Sequence, residues 1–159
     1  MGLDMYLEAR RFVSGYKHTV EQEREIFDDI VKAINMDGVH DERFATVSVN
    51  VAYWRKANHI HNWFVQNVQN GEDDCKSYHV SREQLLELEQ LCRDVCEAGT
   101  AEVASAKLPI ATGFFFGSAE YDEYYFEQTD WTAKRLAEVL TLLPEGGMRG
   151  TDFYYQSSW

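Results

Sequence analysis

Proline is nearly absent from this chain. Pro109 and Pro144 stand alone, and no Pro-, Gly- or Ser-rich stretch interrupts the sequence. With no linker and no internal repeat, the 159 residues read as one domain, 1–159, long enough to bury a core without staples. Cysteine is also scarce and odd in number: Cys75, Cys92 and Cys96 suggest no disulfide framework and fit a reducing compartment. No run approaches the ~20 apolar residues of a membrane span, and the N-terminus lacks a basic region followed by an apolar one. The expected setting is the cytoplasm, with no membrane partner. Basic residues are few, Lys and Arg totalling 15 against 27 Asp and Glu, a formal charge of −12. A chain so acidic offers no broad cationic face, so direct nucleic-acid binding is not expected. The acidity serves solubility or, alternatively, imitates a nucleic-acid backbone in a partner's basic groove.

Several catalytic signatures are missing as well. There is no Gly-rich phosphate loop, GxSxG, CxxC or HExxH. Cys75 and His79 have a spacing found in zinc sites, but no second pair of ligands accompanies them. No metal site, cofactor or catalytic residue is expected.

What the chain does contain is strong periodicity. Leu3, Met5, Leu7 and Ala9 alternate with Asp4, Tyr6, Glu8 and Arg10, predicting a half-buried strand. A capping-box pattern from Thr19 to Gln22 opens a helix with Ile26, Phe27, Ile30, Val31 and Ile34 on one stripe, stopped near Gly38. Residues 44–51 alternate with β-branched side chains and predict a strand. Residues 52–69 read as a helix because Ala57, Ile60, Phe64 and Val68 recur at helical spacing. Tyr78, His79 and Val80 form a short strand, and Ser81 to Gln84 a second capping box before the stripe Leu85, Leu88, Cys92, Val95. Residues 119–143 fit one long helix capped by Ser118, or an aromatic strand at 124–126 followed by a helix from Thr129. Pro144, Gly146 and Gly147 end it. Residues 151–159 predict a final strand paired with the first. The sum is an α+β fold: a small, mostly antiparallel sheet with helices packed on one face.

Two blocks are chemically dense. Residues 52–65 interleave Arg55, Lys56, Asn58, His59, His61 and Asn62 with Tyr53, Trp54 and Trp63. Rings stack on planar ligands, a guanidinium grips phosphate as a fork, and imidazole carries protons. His59 and His61, two apart on a helix, point ~200° away from each other and do not chelate one ion. His61 falls nearer the core edge and His59 on a more exposed arc, so His61 is the preferred functional residue. The second block, residues 113–125, adds Phe115, Tyr121 and Tyr124 beside Glu120, Asp122 and Glu123. The basic aromatic block and the acidic aromatic block are expected to pack together, with Arg55 paired to Glu120 or Asp122.

At these positions the chain resembles a small family associated with bacteriophage and prophage genomes. The resemblance is carried by MGLDMYL at residues 1–7, YWRKAN-x-IH-x-WFV at 53–65, the acidic turn with a cysteine at 73–75, V-S-R-E-x-L at 80–85 and GFFFGS-x-EYDEYY at 113–125. It implies a phage accessory protein acting in the bacterial host cytoplasm and carries over no catalytic residue. The expected function is non-enzymatic: binding or sequestering a phosphorylated or nucleotide-like small molecule, countering a host defence. Tyr53, Trp54, Arg55, Asn58, His61, Phe115, Tyr121 and Tyr124 would form the site, with Glu120, Asp122 and Glu123 in support. Two alternatives remain. One is an acidic inhibitor of a host restriction or CRISPR protein. The other is a small hydrolase or transferase with His61 as base and Glu123 or Asp122 orienting it.

Overall fold

A computed structural model describes residues 2–36, 38, 44–113, 116–143 and 150–159. In chain order these residues form β1 (Asp4–Ser14), α1 (Glu21–Ala33), β2 (Phe44–Arg55), α2 (Asn58–Asn67), β3 (Tyr78–Val80), α3 (Arg82–Ala98), α4 (Ala101–Lys107), α5 (Glu123–Leu142) and β4 (Asp152–Ser158). The strands make one antiparallel sheet in the order β2-β1-β4-β3. The α+β architecture expected from the sequence is therefore present.

Alternation in β1 decides the layering. Leu3, Met5, Leu7 and Ala9 are buried and join Ala52, Trp54, Val80, Phe153 and Tyr155 from the other strands in one core with α2–α5. A strand's side chains alternate faces, so Asp4, Tyr6, Glu8 and Arg10 form the opposite, wetter face. Farther along the same ribbon, Val13 meets Phe27 and Val31 of α1 in a smaller cluster. The C-terminal strand does pair with the first, from Asp4 opposite Ser158 to Arg10 opposite Asp152.

The helix ends test the capping patterns one by one. Ser81 caps α3 with the full reciprocal box: Gln84 N–H donates to Ser81 Oγ at 3.1 Å, and Ser81 N–H donates to Gln84 Oε1 at 2.8 Å. Gly99 closes the same helix in the left-handed conformation, at φ 61°. Ser81→Ala is expected to lower stability by about 1 kcal/mol, read from the urea midpoint at unchanged slope. The Thr19 box does not form. Thr19 Oγ1 is instead 2.7 Å from Ser14 Oγ, α1 starts at Glu21 without a side-chain cap, and Asn35 at φ 56° turns the chain before Gly38. Residues 123–142 are one helix with no strand at 124–126, and its cap is Asp122 rather than Ser118, Tyr125 N–H donating to Asp122 Oδ1 at 3.0 Å. Pro144, Gly146 and Gly147 lie outside the described residues. No helix among the described residues is long and apolar enough to cross a membrane.

Candidate functional site

The helix expected over 52–69 begins later. Residues 52–55 continue β2, with Ala52 and Trp54 buried and Tyr53 and Arg55 exposed, as strand alternation requires. One irregularity separates this end of the strand from 44–50. Leu7 pairs with Ala52 but Glu8 with Asn50, which leaves Val51 as the extra residue of a β-bulge. Lys56, at φ 59°, turns the chain out of the sheet, and α2 starts at Asn58.

The two dense blocks do pack against each other. Asn58 Nδ2 donates to the carbonyls of Phe116 at 3.1 Å and Ser118 at 2.7 Å, and Tyr124 Oη donates to the Arg55 carbonyl at 2.5 Å. Gly117, at φ 93°, lies so close that a Cβ there would stand 3.0 Å from Lys56 Cβ; only glycine accepts both the conformation and the approach. Among the described residues, the pocket between the blocks, beside Lys56, Asn58, His59 and Glu120, is only ≈10 Å³. That holds at most one water and no small-molecule ligand.

The expected ligand residues are accordingly dispersed. Trp54 is buried and its Nε1–H donates to Thr132 Oγ1 at 2.8 Å. Asn58 is spent on the loop carbonyls. His61 is buried, with Nδ1 2.8 Å from Tyr155 Oη and Nε2 2.9 Å from Asp73 Oδ2, while Trp159 Nε1–H donates to Asp73 Oδ1 at 3.1 Å. Both imidazole nitrogens are thus taken by β4 and the loop after α2, not by Glu123 or Asp122. Tyr121 sits edge-on to Tyr125, their centroids 5.0 Å apart. Phe115 lies outside the described residues. Among the described residues no carboxylate pairs with Arg55, so the expected bond to Glu120 or Asp122 is not made. Asp122 caps α5 instead, and the Tyr125 N–H holds its carboxyl below the ordinary range. Glu123 occupies the first turn of α5, where the helix dipole favours an acid.

His59 also departs from expectation: it is buried, not on an exposed arc. Its Nε2 is 3.0 Å from Thr129 Oγ1, and its ring lies 4.0 Å from that of Tyr125. The single Thr129 hydroxyl proton goes to the Tyr125 carbonyl at 2.7 Å. Nε2 therefore carries the imidazole proton and donates it to Thr129. Burial drives the His59 pKa down to about 3, with the Asp122 charge acting weakly the other way.

A more spacious cavity lies elsewhere. It is a groove of ≈490 Å³ between the outer edge of β2, at Asn50–Tyr53, and the α5 residues Trp131, Lys134, Arg135 and Glu138. The bulge shapes one wall. Freed from β1, Val51 offers its carbonyl to Arg135 Nε–H at 2.6 Å. Trp131 packs edge-on against Trp54, centroids 5.8 Å apart, which holds its ring at the groove while leaving it 38% exposed. Lys134 and Arg135 reach Asp130 and Glu138, each at 2.6 Å, on the surface of the same helix. Of the residues singled out in the sequence only Tyr53 lines this groove. The signal for the others was present: Trp131, Lys134 and Arg135 share one face at helical spacing, an aromatic with two cations in an acidic chain.

Two further sequence features resolve within the fold. Among the described residues no three His, Cys, Asp or Glu side chains come together as a metal site. The acidic stretches are partly consumed by internal bonds: Glu23 with Arg11, Asp73 with His61, Asp74 with Lys76 and Tyr78. No family model, curated protein or solved structure matches the chain.

Proposed function

We propose that this protein is a non-enzymatic binding protein that holds a phosphorylated or nucleotide-like small molecule in the groove between β2 and α5. The groove itself carries the reading. Its ≈490 Å³ fall within the ~300–1,000 Å³ typical of small-ligand sites. Trp131 supplies a ring for stacking, and Lys134 and Arg135 supply the charge a phosphate needs, while Tyr53, its own ring packed on Tyr6, forms the groove's edge. Their bonds to Asp130 and Glu138 are exposed surface pairs, which contribute little and can be exchanged for a ligand phosphate. A binding role also fits His61, whose ring is buried with both nitrogens engaged, out of a substrate's reach. The motif resemblance supplies the setting. A phage accessory protein of this kind would withhold a signalling nucleotide from a host defence in the bacterial cytoplasm.

Isothermal titration with mono-, di- and cyclic nucleotides tests the reading, with Trp131 fluorescence as a second readout. Binding by at least one of them is expected. Losing one stacking ring costs ~1–3 kcal/mol, so Trp131→Ala should weaken that ligand by roughly 10- to 100-fold. Lys134→Gln should weaken phosphorylated ligands and leave the corresponding nucleoside unchanged. Absence of heat and of fluorescence change with every nucleotide at millimolar concentration would remove the proposal.

A further inference from the structure

β2 lies at one edge of the sheet, and among the described residues nothing pairs with its outer side. The opposite edge is the three-residue β3, too short to template another strand. β2 is 12 residues long, and its stretch 44–51 contains no charged residue and no proline. Exposed edges are ordinarily guarded by lysine, proline or a bulge. Among the described residues the only such device is at one end, where Val51 bulges and Arg135 takes its carbonyl. Residues 44–50 keep an unguarded row of N–H and C=O groups, alternate residues pointing away from β1. Val49 beside them is 56% exposed.

We propose that this edge is a homodimer interface: β2 pairs antiparallel with β2 of a second copy, joining two four-stranded sheets into one. Three observations point to a second copy rather than a foreign strand. A two-fold axis normal to the sheet keeps each residue on its own face, so an antiparallel self-pair aligns residues of the same parity. Centred on Ser48, it sets Val47 opposite Val49 of the other copy, twice, on the helix-bearing face. That covers the exposed Val49 with the partly buried Val47 of the other copy. On the other face it sets Thr46 opposite Asn50, both neutral and able to hydrogen-bond, and Ser48 opposite Ser48, each hydroxyl donating to its own Glu8. Finally, each copy carries a formal charge of −12. The strip itself is uncharged, and the Glu8 carboxylate beside Ser48 is paired with Arg10 at 2.8 Å, so two such chains can approach there with little repulsion.

Sedimentation equilibrium across a dilution series reads the mass. The wild-type chain should run at twice 18.5 kDa. Ser48→Lys sets two like charges across the axis and should give the monomer mass. It should keep the fold, by circular dichroism, because Ser48 is exposed and already bonded to Glu8, 2.7 Å from Ser48 Oγ. Mixing Ser48→Lys with Ser48→Glu chains should restore the dimer through a Lys–Glu pair, an outcome no folding defect would produce. A wild-type chain at the monomer mass throughout, or a Ser48→Lys chain still at the dimer mass, would overturn the interface.

Discussion

Trp54→Ala should lower the free energy of unfolding by about 3–5 kcal/mol, the range for truncating a large buried aromatic. Trp54 is 1% exposed and sits where β2 meets the helices. Its ring contacts Phe64 at 6.0 Å and Trp131 at 5.8 Å between centroids. Alanine would leave a cavity among side chains held by a sheet on one side and α5 on the other, which cannot close freely. The polar part of the loss is smaller. Thr132 Oγ1 loses the indole N–H as a donor but still donates to the Gln128 carbonyl at 2.7 Å. For a chain of this length each kcal/mol moves the melting temperature by roughly 2–4 °C, so a fall of about 10 °C is expected by calorimetry. Trp54→Phe separates the contributions. It retains most of the packing and loses the hydrogen bond, so it should cost about a third as much. Trp131 also leans on this ring, so Trp54→Ala should blunt ligand binding in the groove without Trp54 touching ligand. If Trp54→Ala melted like wild type while abolishing binding, Trp54 would be a ligand residue after all.

The sequence patterns that proved legible were those with one dominant period. The alternation of Leu3, Met5, Leu7 and Ala9, the Ser81 box and the C-terminal strand all appear as expected, because each buries a single face. The segment 52–69 was harder for two physical reasons. The bulge at Val51 shifts the alternation of β2 by one residue, so Ala52 and Trp54 look out of phase with the strand before them. The helical stripe Ala57, Ile60, Phe64 then extends backwards over them in pattern. The second reason concerns α2, which buries Asn58, His59, Ile60, His61, Trp63, Phe64 and Val65, more than one stripe. A single apolar stripe presumes a surface helix with one wet face. α2 lies instead between the sheet, the 116–118 loop and α5, where polar residues satisfy one another. Hence His59 and His61 point apart, as helical geometry requires, yet both end in the interior. The groove was less legible because its walls come from β2 and α5, remote in sequence, and a bulge carbonyl joins them.

Between pH 6.5 and pH 4 the stability should fall by about 1.4 kcal/mol per pH unit because of His59 alone. The imidazole is held neutral in the fold by burial, its pKa down at about 3 against an ordinary 6.5. In the unfolded chain it takes up a proton once the pH drops below 6.5, while the folded chain does not. The unfolded state then binds more protons, so the stability falls with falling pH, and the contribution is complete only above 6.5. The groups around the ring cannot rescue the cation. Nε2–H already donates to Thr129, the Tyr125 ring covers a face, and the Asp122 charge raises the pKa only weakly against desolvation. Asp122 itself is held below the ordinary carboxylate range, so it adds acid sensitivity only at lower pH, where the unfolded chain protonates it first. Urea unfolding at pH 7 and pH 5 should therefore differ by about 2 kcal/mol in the wild type, after subtracting the same difference in His59→Gln. Glutamine can keep an N–H toward Thr129 and does not titrate in this window. His59→Gln will be less stable at neutral pH, where packing is imperfect, but its stability should be flatter with pH. Parallel pH dependences in the two proteins would show that His59 is protonated in the fold.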